Sequence, residues 1–141
     1  MQDWEQQLAA AGYRVTAPRR AVIAVLAQAS SPLLPQEILE RARSRHHDLG
    51  LVTVYRTLNV LAGLDLVRRV HRQDGCHGYL PASPGHHHAV ICRGCGEAAE
   101  FPGVDDLGRL VERVEARTGY AISDHLLQLY GLCPNCSQKA H

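Results

Sequence analysis

Two Cys-x-x-Cys pairs, Cys92-Arg93-Gly94-Cys95 and Cys133-Pro134-Asn135-Cys136, constrain this chain more than any other feature. Two residues between cysteines let a single turn present both sulfurs to one ion, and two such turns complete a tetrahedral four-sulfur zinc site. A disulfide reading needs an oxidising compartment. The start, Met1-Gln2-Asp3-Trp4-Glu5, has neither the basic flank nor the apolar stretch of a secretory leader, and no apolar run approaches the ~20 residues of a spanning helix. The expectation is a cytoplasmic protein with no membrane partner and a structural Zn2+. A thiol redox motif would use one pair and leave the second unexplained. With all four positions filled by cysteine, the ion has no open position for water, which argues against zinc hydrolase chemistry.

The rest of the chain divides at Pro81-Ala82-Ser83-Pro84-Gly85. Before it, the pattern is helical. Trp4, Leu8 and Ala11 recur at helical spacing between Asp3, an N-cap, and Gly12, a stop. Thr16-Ala17-Pro18 opens a second helix with Ala21, Val22, Val25, Leu26 and Ala29 on its apolar face. Pro32 and Pro35 break the chain, and Ile38, Leu39 and Ala42 mark a third helix. A fourth, about Val52 to Leu64, puts Val54, Leu58 and Leu61 on one stripe and leaves Val52, Tyr55, Arg56 and Asn59 opposite. Two strand-like runs follow, 66–70 and 77–80, around the Gln73-Asp74-Gly75 turn. Helices followed by a hairpin is the order of a winged helix-turn-helix. Beyond the hinge, 89–92 and 97–101 read as strands, Leu107, Leu110, Val111 and Val114 as an amphipathic helix ending near Gly119, and Tyr120–Leu132 as strand-rich. The reading is α+β: a winged helix-turn-helix domain over 1–82, a hinge at 83–85, and a small α/β dimerisation domain over 86–141. So few strands make a thin core, which calls for a metal and a partner subunit.

Charge follows the same division. The net +1 is the sum of ten Arg against seven Asp/Glu in residues 1–82 and five Lys/Arg against seven Asp/Glu in 83–141. Fourteen of the fifteen basic residues are Arg, whose planar fork suits bidentate contact with phosphate and base edges. An exposed Tyr55-Arg56-Asn59 face is unusual enough to need a reason, and a charge of +3 by itself does not supply one, because many solvated helices are as basic. Eleven of the fourteen His and Cys residues lie between His71 and Cys136. Within His86-His87-His88, strand alternation sends His86 and His88 one way and His87 the other, so one triplet can serve two metal sites.

With these motifs the chain resembles the ferric uptake regulator family of metal-dependent bacterial transcription regulators. The resemblance is carried by Gly12-Tyr13-Arg14-Val15-Thr16-Ala17-Pro18-Arg19, Gly50-Leu51-Val52-Thr53-Val54-Tyr55-Arg56-Thr57-Leu58, the stretch from His86 to Gly96, and His125 with the stretch from Leu129 to Cys136. It implies a homodimer whose Tyr55–Arg56 helix enters the major groove of double-stranded DNA, with Arg14 reaching toward the minor groove and Arg19 touching phosphate. It also implies a structural zinc on Cys92, Cys95, Cys133 and Cys136, and a regulatory ion near the hinge. His86 and His88 match regulatory ligands, and Glu100 sits where some members add a carboxylate. Other family ligand positions carry Pro32, Leu80, Ala82 and Arg68 here, so Cys76 and His71, on or beside the hairpin, are the substitutes expected to complete the site. A mixed thiolate and imidazole set favours Zn2+ over Fe2+ or Mn2+. A further site on the dimerisation domain would use His87 and His125, with Gly85 and Gly108 replacing its other ligands and Asp105 or Asp106 compensating. The expected function is repression of metal uptake genes, with zinc binding between the domains favouring the DNA-binding dimer. Iron response and peroxide sensing are the alternatives within the family. A zinc enzyme is a rival class, but no His-x-Glu or His-Glu-x-x-His arrangement supplies a general base; a protein-binding zinc module is another, and the Tyr55–Arg56 face argues against it.

Overall fold

A computed structural model describes residues 3–103 and 107–139. Asp105, Asp106 and His141 lie outside the described residues. Four helices, α1 (Asp3–Ala10), α2 (Ala17–Leu26), α3 (Pro35–Ala42) and α4 (Leu51–Gly63), lead into a hairpin of β1 (Val67–His71) and β2 (His77–Pro81). Thr16 caps α2 from an extended backbone, its hydroxyl accepting the Arg19 N–H at 3.4 Å. Pro35 does not break the chain; it opens α3, where a missing N–H costs no helical hydrogen bond. Glu37 then reaches back to accept the Leu34 N–H at 3.0 Å.

The apolar stripe of α4 faces inward as its spacing requires: Val54, Leu58 and Leu61 are fully buried. They pack with Trp4, Leu8, Val22, Leu26 and Ile38 in one core that also takes Val67 of the hairpin. At about 1.5–3 kcal/mol per large side chain buried, this helical half carries most of the apolar stabilisation in the chain.

The hairpin has two working faces. Register pairs Arg68 with Leu80 and Arg69 with Tyr79. Val67 and Tyr79 turn toward the helices, whereas Val70 and Leu80 turn the other way and meet Ala89 and Ile91 in a second, smaller apolar cluster.

That second cluster joins the hairpin to a three-stranded sheet of order β4-β3-β5, built from β3 (His87–Cys92), β4 (Ala98–Pro102) and β5 (Gln128–Gly131). Strand β3 is antiparallel to β4 and parallel to β5. A parallel pair needs a long crossover, and α5 (Gly108–Thr118) supplies it, stopping at Gly119, whose φ of 75° is left-handed. Two expectations change here. Strand β3 begins at His87, so two of the three adjacent histidines belong to it, and the segment expected to be strand-rich forms a ladder only over Gln128–Gly131. The exposed Tyr120 and Leu126 outside that ladder explain the misreading, because apolar residues without a backbone partner mimic a strand pattern. A short α6 (Pro134–Lys139) follows the last strand.

No residue of α5 is buried within this single chain. Leu110 is 50% exposed, and Leu129 and Leu132 are also exposed. Among the described residues, no helix is long and apolar enough to cross a membrane.

Candidate metal centres and reading face

The four cysteines converge. Their sulfurs all lie within 4.8 Å of one another, with 3.9 Å between those of Cys95 and Cys133. Tetrahedral zinc–thiolate bonds of ~2.3 Å place sulfurs about 3.8 Å apart, so the cluster fits a zinc site. The turns are arranged for anionic sulfur. Backbone N–H groups of Cys133 and Cys95 donate to the Cys92 sulfur at 3.3 and 3.5 Å, and Gly94 adds a third at 3.3 Å. These bonds pull the Cys92 pKa down to about 6 despite burial. Contacts with Cys133 and Cys92 push that of Cys136 up to about 12. Four thiolates so close together need a cation, and binding one releases the proton that Cys136 otherwise keeps. A Cβ at Gly94 would stand 2.8 Å from the Cys136 sulfur, so this turn closes only with glycine.

A second group forms at the start of β3. His86, His88 and His125 bring ring nitrogens within 4.8 Å of one another. The Nε2 atoms of His86 and His125 are 3.1 Å apart, close to the ~3.3 Å edge of a tetrahedron with 2.0–2.1 Å metal–nitrogen bonds. His86 and His88 share a side of the strand, as alternation requires, and their rings meet edge to face at 4.7 Å. Burial, together with the neighbouring His86 and His125 rings, holds the His88 pKa below its ordinary value. A neutral imidazole is the form a metal binds. Gly103 makes the approach possible. Its N–H donates to the His86 carbonyl at 2.7 Å, and a Cβ there would overlap the His86 ring and come within 2.9 Å of His88 Nε2. Nothing in the sequence pattern marked this glycine.

The grouping differs from the expected sets. His125 joins His86 and His88, not His87, because the parallel β3–β5 pairing carries the segment before β5 to that side of β3. His87 points away, with its Nδ1 buried and unpartnered. Cys76 and His71 stay out of the cluster: Cys76 is exposed at the hairpin turn, and the His71 ring lies against His77 at 4.4 Å. Glu100 is engaged elsewhere. One carboxylate oxygen takes Arg68 at 3.1 Å, and the other takes the Ser83 N–H at 2.9 Å. The mixed thiolate and imidazole set therefore does not assemble, and the set that does, among the described residues, is three imidazoles.

On the helical half, Val52 and Tyr55 are 62% and 44% exposed, with Arg56 and Asn59 exposed beside them on α4. Arg14 is exposed, and Arg19 clips its loop by donating to the Arg14 carbonyl at 2.7 Å with its guanidinium 5.9 Å from the Tyr13 ring centre. A helix face with a free arginine and tyrosine has the reach and donors to read base edges in a major groove.

The comparisons with known proteins agree with this architecture. The family model described as the ferric uptake regulator family matches residues 10–130. The chain is 37% identical to the ferric uptake regulation protein of Legionella pneumophila, over 93% of this chain and 96% of the relative. It is 30% identical to the peroxide operon regulator of Bacillus subtilis strain 168, over 91% and 87%. Its fold is shared with a zinc uptake regulator complexed with zinc and DNA, at a TM-score of 0.80 and 22% identity over 99% of this chain and 93% of that one. Regulators of this family bind DNA as dimers in response to metal and are not enzymes. With the helical half, the four-cysteine cluster and the family match over residues 10–130 all in place, this chain belongs to the ferric uptake regulator family of metal-dependent transcription regulators.

Proposed function

We propose that the chain is a zinc-responsive repressor of metal uptake genes, acting in the cytoplasm as a homodimer, with His86, His88 and His125 as the sensing ligands. The observation that carries this reading is the convergence of three imidazoles beside the hinge, 39 residues apart in the chain between His86 and His125. Among the described residues the cluster holds imidazoles and no carboxylate, a set that suits zinc better than manganese, which prefers oxygen. The four-cysteine ion is the structural one. When bound at the histidines, the sensed ion supplies a fixed crosslink. The chain does the rest: His86 and His88 anchor the start of β3 next to the hinge, and His125 ties down the segment leading to β5. This ordering shifts the dimer toward the spacing of its two reading heads that fits successive major grooves.

Residues 1–82 are the reading domain, 83–85 the hinge and 86–141 the dimerisation domain in this scheme. Arg56 contacts guanine, Tyr55 and Asn59 contact neighbouring edges, Arg14 reaches the minor groove and Arg19 contacts phosphate. The exposed Leu110, Leu129 and Leu132 are the apolar surface a second copy covers.

The test is fluorescence anisotropy on duplexes selected from randomised sequence, titrated with zinc, iron(II) or manganese. Zinc strengthens binding most, by about 5- to 150-fold. His86→Ala with His88→Ala removes that response and leaves the weak metal-free binding. Arg56→Ala loses sequence-specific binding at every metal concentration. Unchanged zinc response in the double histidine variant overturns the sensing assignment, and a stronger response to iron(II) overturns zinc.

A further inference from the structure

Cys76, His71 and Glu100, expected to hold an ion between the reading half and the sheet, do not converge. The side chains that cross the joint make direct contacts of their own. Val70 and Leu80 of the hairpin pack on Ala89 and Ile91 of β3, a small apolar contact that resists separation but does little to fix an angle. Fasteners sit at both ends of it. At the hinge end, Arg68 crosses from β1 to Glu100 of β4, with the two side chains only 24% and 12% exposed. The second oxygen of Glu100 accepts from the Ser83 N–H at 2.9 Å and its hydroxyl at 3.3 Å. One carboxylate thus ties β1, the hinge and β4 together. At the other end, the Gln128 side-chain amide grips the His71 backbone twice, accepting its N–H at 3.1 Å and donating to its carbonyl at 2.6 Å. Tyr130 donates to the same carbonyl at 3.1 Å. Arg68 and His71 are three residues apart on one strand, about 10 Å. Two directional contacts at that separation hold an orientation that neither holds alone.

We infer that Arg68 and Glu100 are positioning residues for DNA binding: their ion pair, bridged to Ser83, locks the reading half onto the dimerisation sheet. Arg68 also lines the cleft that holds His86, His88 and His125. The lock therefore borders the sensing histidines and carries the order they impose to the hairpin. The inference rests on the proposal that α4 reads DNA.

A double-mutant cycle with a charge swap tests it, on the full zinc-loaded chain and the selected duplexes, with hydrogen exchange of residues 67–81 followed in parallel. Arg68→Ala and Glu100→Gln each weaken DNA binding about tenfold, the scale of a hydrogen bond to a charged group, and speed exchange along the hairpin while zinc content stays unchanged. Combining them adds little to either. Arg68→Glu with Glu100→Arg recovers part of the affinity, which a residue needed only for packing would not allow. Full affinity and unchanged exchange in the single variants, or additive losses with no recovery on swapping, overturn the lock. Failure of the DNA reading shows separately, as an Arg56→Ala protein that binds like the parent while the exchange arm still reports the joint.

Discussion

The two halves of the chain are held together by different means. The helical half closes around a deep apolar core with Leu8, Val22, Leu26, Ile38 and Leu58 shielded from solvent. The sheet half has one small cluster, and two of its four members, Val70 and Leu80, belong to the hairpin of the other half. No residue of its long helix is fully buried in a single chain. The contrast fits the roles proposed above: a half that presents one rigid helix face to DNA can be self-sufficient, whereas a half that gains stability from an ion and a second copy need not close a core of its own.

The sharpest way to break that comparison is Cys92→Ser. Structural zinc contributes about 10–16 kcal/mol to small zinc-folded peptides, far more than the thin sheet cluster can replace. Hydrogen exchange is expected to lose protection over residues 87–102 and 128–131 while the cores of α2 and α4 keep theirs. Simultaneous loss in both halves would mean that they fold as one unit. Next in size is Leu58→Ala, expected to cost about 2–5 kcal/mol in urea denaturation because the site is fully enclosed. Ile91→Ala, in the smaller cluster, should fall at or below the lower end of that range. Equal losses would erase the distinction between the two cores.

The smallest effect concerns acid. Burial pushes the Glu37 carboxyl up, but the Leu34 N–H and the Arg72 guanidinium, with Arg41 beyond, outweigh it and hold its pKa below the ordinary carboxylate value. A depressed folded-state pKa gives stability that is complete above the unfolded value, near 4.5, and is lost as pH falls through the lower folded one. Denaturation midpoints of the helical half should therefore drop below pH 4.5, and Glu37→Gln should flatten that part of the profile. The effect is modest, since both partners are partly solvated, with side chains 37% and 26% exposed. An unchanged slope in Glu37→Gln would assign the acid sensitivity to other carboxylates.

Legibility in the sequence followed the range of each interaction. The cysteine pairs were readable because each turn is local and zinc geometry dictates the rest. The α4 stripe was readable because one helix face needs one core. Strand parity correctly put His86 and His88 together, yet the third partner was out of reach, since His125 arrives only through the parallel β3–β5 pairing. Glu100 was expected among the regulatory ligands, but the hairpin brings Arg68 to it across 32 residues. Cys76 and His71 are near the histidine triplet in sequence but lie on another part of the surface, because the hairpin carries them to its turn end.

Residue spacing alone therefore indicated the helical half, the four-cysteine cluster and the two-way split of the histidine triplet, all of which depend on periodicities of a few residues. Which histidine completes the cluster, which side chains fasten the joint and which apolar faces stay open were decided only in three dimensions. Each is a contact between segments tens of residues apart, where strand pairing and close packing, not spacing, select the neighbour.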